Sequence, residues 1–284
     1  MPDVYDISMP PVLYTYFFLI VSSSLFYAQL NPGARQIAMA NSDVAQSNDV
    51  FAVFNNPAGL AQVGWREFGI FYSPSPFGLQ ELAQGAFAYN EPTGIGSFSL
   101  GATTYGFELY RENRLSLAYA CKLPAICLGA AVNYNNVSIK NYGAAGAVTL
   151  DLGILAGLTD YLSWGLSIHN LFHSSFGNEK DQIPQIFSSG FSYRASDEIT
   201  LNASLEKDRA YPPSVRAGIE YDIIRYLALR IGLSTEPDKF TAGIGLKYSY
   251  FEFDYAVFSH QDLGITHQAG VLISFRSDDK SSHK

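Results

Sequence analysis

"TAGIGLKYSY", residues 241–250, divides cleanly into two faces. Ala242, Ile244, Leu246, Tyr248 and Tyr250 form one; Thr241, Gly243, Gly245, Lys247 and Ser249 form the other. Successive side chains of a strand point to opposite sides, so a period of two means a β-strand with one apolar and one polar face. The pattern recurs outward from this stretch. "YLALRIGLS" sets Leu227, Leu229, Ile231 and Leu233 against Arg230, Gly232 and Ser234. "YFEFDYAVF" sets Phe251, Phe253, Tyr255 and Val257 against Glu252, Asp254 and Ala256. "ITLNASLE" and "LSWGLSIH" divide in the same way.

From Trp65 to Phe275 the sequence holds about fourteen such segments, each near the ~9–11 residues that a tilted membrane strand needs. The gaps alternate as well. Short turns are expected near residues 91–93, 122–124, 160–161, 196–198 and 223–225, and longer loops near 74–80, 106–113, 137–145, 172–184, 208–213 and 236–239. Short periplasmic turns and longer outside loops are how outer-membrane barrels are strung.

A water-soluble β-sandwich alternates too. Two features argue against it. The polar faces are mostly Gly, Ser, Thr and Asn, where a solvated sheet carries more Lys and Glu. The apolar faces are rich in Tyr and Phe near strand ends, like the aromatic girdles of membrane barrels. Charged residues make up only 15 % of the chain, against a usual ~25 %, while aromatics reach 14 %. The expected fold is therefore all-β: a transmembrane antiparallel barrel of about fourteen strands spanning residues 63–275. With 18 basic against 26 acidic residues and no basic run, nucleic acid is not an expected partner; outer-membrane lipid is.

The apolar run at residues 12–28, "VLYTYFFLIVSSSLFYA", has the length of a signal-peptide core, with a membrane-anchor helix as the rival. Residues 1–28 are set aside as a leader for export to the bacterial outer membrane, and 276–284 as a polar tail. Cys121 and Cys127 flank a tight turn but fall on opposite faces in this phasing, which argues against a disulfide; neither has zinc-site spacing.

Little in the chain suggests catalysis. His169, His173, His260, His267 and His283 lack metal-ligand spacing, and no segment forms a strand–Ser elbow–helix unit. No enzyme activity, metal or cofactor is expected. Charges on the polar faces gather in the later strands: Arg216, Glu220, Arg230, Lys247, Glu252 and Asp254. They read either as a paired network filling the barrel or as a constriction that orients a ligand. Buried charges persist only when paired, so both readings expect opposite-sign neighbours, Glu252 with Arg230 or Lys247 among them.

Residues 29–62, "QLNPGARQIAMANSDVAQSNDVFAVFNNPAGLAQ", do not alternate. Near their end Asn56 can cap, Pro57 suits a first helical position and Gly59 can end a single turn. The segment resembles the N-terminal signature of the PorV/PorQ-like outer-membrane proteins, relatives of the FadL-type hydrophobic-compound transporters. The matching positions are Gly33, Ala34, Arg35, Ser42, Val44, Ala45, Asp49, Asn56, Pro57, Ala58, Gly59 and Leu60, with Ala40 and Asn41 standing where glycines are usual. The last strands, including Leu263 to His267, resemble the same family. The resemblance implies that residues 29–62 fold into the lumen as a hatch.

Two functions follow from it. The first is a secretion-associated barrel, type IX-like, acting through secretion-system proteins or secreted cargo. The alternative is a passive channel for small hydrophobic ligands, gated by the hatch. A cargo binder should expose an apolar patch on the loops at 137–145 or 172–184. A channel should show a break in the wall, for which "YSPSPFG" at 72–78 is the candidate.

Overall fold

The computed structural model describes residues 31–177, 183–260 and 263–275; the expected leader and tail lie outside them. Two short helices come first, α1 (Ala34–Ala38) and α2 (Ala52–Asn55), then a 3-10 helix at Pro57–Gln62. Fourteen strands follow: β1 (Arg66–Ser73), β2 (Gln84–Thr93), β3 (Gly96–Gly106), β4 (Tyr110–Lys122), β5 (Ile126–Ile139), β6 (Gly143–Gly157), β7 (Leu162–His169), β8 (Ile186–Arg194), β9 (Ile199–Asp208), β10 (Ser214–Ile224), β11 (Leu227–Thr235), β12 (Asp238–Tyr248), β13 (Phe251–His260) and β14 (Gly264–Phe275). Each pairs antiparallel with the one before it, and β14 returns to β1, so the sheet is a closed barrel. No helix among the described residues is long and apolar enough to cross a membrane, and a barrel crosses with its strands.

The two faces point as the alternation requires. Leu229, Ile231 and Leu233 are exposed on the outside of β11, while Ala228, Arg230 and Ser234 are buried inside. Outward-facing charges such as Arg66, Glu91, Arg111 and Lys207 stand at strand ends, and Arg66 bonds Glu91 there at 2.9 Å. Cys121 and Cys127 are free thiols.

The loop expectations need correction in three places. The connections at 107–109, 140–142 and 236–237 are tight, because the strands beside them run on. β4, β5 and β6 have 13, 14 and 15 residues, longer than a bilayer requires. Their far ends carry Arg111, Asn113, Asn136 and Ser138, polar residues that can continue a ladder in water. Period-two reading misses such extensions because it looks for an apolar face. The long connections are 74–83, which contains two 3-10 turns, and the stretch after β7.

Residues 33–63 lie inside the ring and are buried almost throughout. The small residues on the inner strand faces make room for them. A Cβ on Gly153 would stand 2.1 Å from Asn56 Oδ1, and one on Gly129 would stand 2.3 Å from the amide nitrogen of Ala58. These two glycines face each other across β5 and β6, and an apolar hollow of about 350 Å³ marks their place on the outer wall. After α1 the chain turns sharply: Ala40 and Asn41 both take left-handed backbone, with φ of 56° and 54°. Asn tolerates this conformation; for Ala it costs roughly 1 kcal/mol.

Ile231, at the middle of β11 and facing lipid, is a test of orientation. Ile231→Arg is expected to destabilise the barrel by about 2–4 kcal/mol, read from unfolding in lipid vesicles.

Candidate functional site

The candidate site is the filled lumen. Arg35, on α1, is its centre. Its Nε and Nη2 donate to the two carboxylate oxygens of Glu220, both at 2.8 Å, and its Nη1 donates to Asn48 at 2.6 Å and to Asp49 at 3.3 Å. Glu220, on β10, also accepts from Arg230 Nε at 2.6 Å and from Gln46 Nε2 at 2.9 Å. Arg230, fully enclosed on β11, reaches on to Asp254 and, at 3.2 Å, to Glu252 on β13. A chain of alternating charge thus runs from the inner segment into the wall. Bidentate guanidinium–carboxylate geometry makes the Arg35–Glu220 contact directional as well as strong.

The remaining wall charges sort differently. Lys247 bonds Asp222 at 3.2 Å and not Glu252, although Lys247 and Glu252 are register partners. Arg216 pairs with Glu206 on β9. Of the inner-segment residues, Gly33 and Ala34 lead into α1, with Ala34 packed beside Gly270. Asp49 accepts from Gln36 at 2.6 Å and from the amide of Phe51 at 2.9 Å. Asn56 caps the 3-10 helix, accepting from Ala58 N at 3.2 Å, and Pro57 opens it. Asn56 Nδ2 also donates to Val44 O at 2.8 Å and across to Ile154 O in the wall at 3.3 Å. Gly59 does not stop that turn, which continues to Gln62. It is needed for packing: a Cβ there would lie 1.7 Å from the carbonyl of Ser47.

Sequence reading missed several partners. Glu67 on β1 accepts from the amide of Val50 at 2.7 Å, from Trp65 Nε1 at 3.0 Å and from Ser274 at 2.5 Å, fixing the inner segment to the closing seam. Arg114, Asp151 and His169 form a second cluster, with Asp151 held by Arg114 at 2.7 Å and by His169 at 3.0 Å. All were legible as inward positions, but nothing in strand phasing says which strands curve toward one another. Asp43, buried in the inner segment, was also overlooked. Burial, with Asp49 nearby, pushes its carboxyl up from 3.8 to about 7.

Two openings flank the filled centre. At the short-turn end a cavity of about 320 Å³ is lined by Arg35, Asp49, Trp65, Glu67, Lys247 and Glu252. At the long-loop end the 74–83 connection bends over the rim. Phe77, at φ 55°, sets its ring 5.6 Å from Phe258 and 5.9 Å from His260. Beneath it β1 and β14 part. Their pairing ends at Tyr72–Ala269, yet β14 continues up to Gly264. Above that point Ser73 Oγ reaches His267 O at 3.4 Å and the Phe77 amide donates to Thr266 Oγ1 at 2.9 Å. Tyr142 and Phe172, on the two loops considered for cargo, are 90 % and 73 % exposed, and residues 178–182 of the second loop lie outside the described chain.

No family profile matches the chain, and no curated protein is similar to it. Solved structures are. The "CymD monoaromatic hydrocarbon channel" superposes with a TM-score of 0.67 at 12 % identity, covering 87 % of this chain and 98 % of that one. The Pseudomonas putida toluene transporter TodX gives 0.60 at 13 % identity, over 87 % and 98 %. A Pseudomonas aeruginosa FadL homologue gives 0.58 at 13 %, over 87 % and 97 %. At such identities the likeness establishes the fold: this chain has the fold of FadL-type channels.

Two outcomes test the site. Glu220→Leu takes the bidentate partner from Arg35 and the Nε acceptor from Arg230 and is expected to cost roughly 3 kcal/mol in unfolding experiments, while Glu252→Leu, which removes only the 3.2 Å contact of Arg230, should cost about 1 kcal/mol or less. Because the folded-state carboxyl of Asp43 is raised, the inner segment holds a proton that a free chain would lose. Its docking should weaken as pH rises from 3.8 toward 7 and level off above. Asp43→Asn should flatten that slope in melting temperatures taken between about pH 5 and about pH 8.

Proposed function

We propose that this protein is a bacterial outer-membrane channel of the FadL type, passing small hydrophobic compounds, with its N-terminal segment acting as a plug. The observation that carries the reading is the parted β1–β14 seam. It lies at the "YSPSPFG" break, beside the Phe77–Phe258 pair, and is closed above Ala269 by side-chain bonds where a full ladder would otherwise run. A compound entering at the long-loop end meets aromatic rings first and a polar, charge-paired plug below them. The weakest part of the wall is the seam between, which leads sideways into the membrane. The similar solved structures support the same reading, since they include a monoaromatic hydrocarbon channel, a toluene transporter and a FadL homologue. They favour it over the secretion-associated reading, whose partners would be secretion-system proteins or cargo.

Gly33, Ala34, Arg35, Asp49, Asn56, Pro57, Ala58 and Gly59 are proposed as the plug's fixing points. The charge network of Arg216, Glu220, Arg230, Lys247, Glu252 and Asp254 is proposed as the inner wall it docks on.

Cells of a Gram-negative host lacking hydrocarbon channels should take up labelled toluene faster when they carry this protein than when they carry an empty vector; equal rates would end the channel reading. Deleting residues 29–62 should open a steady conductance in planar bilayers, and an unchanged current would remove the plug from it.

A further inference from the structure

Gln268 faces inward on β14, one residue above the last β1–β14 pair at Tyr72–Ala269, and is 1 % exposed. Both atoms of its amide group, Nε2 and Oε1, are buried without a hydrogen-bond partner. Few native polar groups are left this way, and such a group calls for an explanation. The polar neighbours on the same inner face, Ser73 and Thr266, are engaged elsewhere, with the carbonyl of His267 and the amide of Phe77. Ala256 stands directly across on β13, Phe258 and Phe71 stand diagonally on the two flanking strands, and Gly270 follows on β14 itself. An apolar residue would pack better here if packing were the whole requirement.

The outer face of the same seam carries a second polar group in an apolar setting. His267, the adjacent residue, points to the lipid side and is exposed. Its Nδ1 lies 2.6 Å from Tyr255 Oη, and the two rings stack at 6.1 Å. That bond occupies Nδ1 only. Polar side chains facing hydrocarbon are costly, and they mark the routes of solutes. Between the two lies Ser73 Oγ, bonded to the carbonyl of His267. Hydrogen-bonding groups therefore stand inside, within and outside the wall at one height, at the place where the ladder is interrupted.

We propose that this seam selects for neutral hydrocarbon derivatives carrying one hydroxyl group, with Gln268 receiving the hydroxyl on the lumen side and the His267–Tyr255 pair receiving it on the lipid side. The inference rests on the channel reading and sharpens its substrate class. A primary amide offers a donor and an acceptor, and a hydroxyl both donates and accepts, so one small group answers both unpaired atoms. A plain hydrocarbon answers neither. An ammonium ion would meet Lys239, whose Nζ stands 5.3 Å over the Phe258 ring, as a like charge, and a carboxylate would be drawn to that cation, which leaves the neutral amide of Gln268 to a neutral hydroxyl.

The test compares two probes of like shape, toluene and benzyl alcohol, in uptake by host cells carrying the wild type, Gln268→Leu, Gln268→Met or His267→Phe, each measured above an empty-vector strain. Heat-modifiable migration on gels checks that each barrel is folded. Benzyl alcohol uptake is expected to fall about five-fold in both Gln268 variants and by a smaller factor in His267→Phe, with toluene uptake held within about two-fold. If both probes change together, or neither changes, the selectivity is overturned while the channel stands. If the wild type carries neither probe above the vector, the channel reading fails and the selectivity falls with it.

Discussion

A strand in hydrocarbon has no water to satisfy its amide and carbonyl groups, so every edge must find another edge. That constraint closes the fourteen strands into a ring, and most of the structure follows from it. A ring of this many strands is too wide for its own inward side chains to fill. Here many of those side chains are small, and the space goes to residues 33–63, whose backbone approaches Gly129 and Gly153 too closely for any Cβ. The same constraint makes a place where the ladder stops conspicuous. β1 has 8 residues and β14 has 12, and the difference leaves an upper seam held by Ser73, Phe77 and Thr266.

The inner segment is held by two kinds of contact with different consequences. Around Asn56 the contacts are hydrogen bonds to main-chain carbonyls and a close fit against glycine, which leave little freedom for sliding. Around Arg35 they are charged, and Glu220 serves two guanidinium groups at once. A buried carboxylate shared in this way stabilises little in total, since desolvation offsets the attraction, but its loss is severe because it takes a close partner from two guanidinium groups at once. Under the proposed plug role, such a junction favours a segment that is either docked or released over one that loosens by degrees.

Much of the fold was legible in the alternation. Thr241 to Tyr250 became β12 with its faces as read, apart from the last two residues, and the strand number followed from repeating the exercise, but several boundaries did not. The errors had a common source. Loops at 106–113 and 137–145 were expected because apolar alternation fades there, yet the ladder continues, since backbone pairing above the membrane needs no apolar face. Of the lumenal charges, the inward phase of Arg230, Glu252 and Asp254 could be read from the sequence. That Lys247 turns to Asp222, and that Arg35 supplies the second partner of Glu220, could not. Gly59 was read as a helix stop and proved to be a contact with Ser47, because its neighbour lies twelve residues back along a folded path.

The sequence by itself determined which residues face lipid and which face inward, because that depends only on the parity of position along a strand. It determined a turn at Asn56 and Pro57, because capping is local chemistry. Only the tertiary structure decided what meets inside the ring. Closure brings β1 against β14 and lays the N-terminal segment across β5, β6, β10 and β13, contacts between residues more than two hundred positions apart in places, for which no local rule exists. The parted seam, and the unpaired amide of Gln268 beside it, belong to that second class: they arise from unequal strand lengths meeting where the first strand pairs with the last.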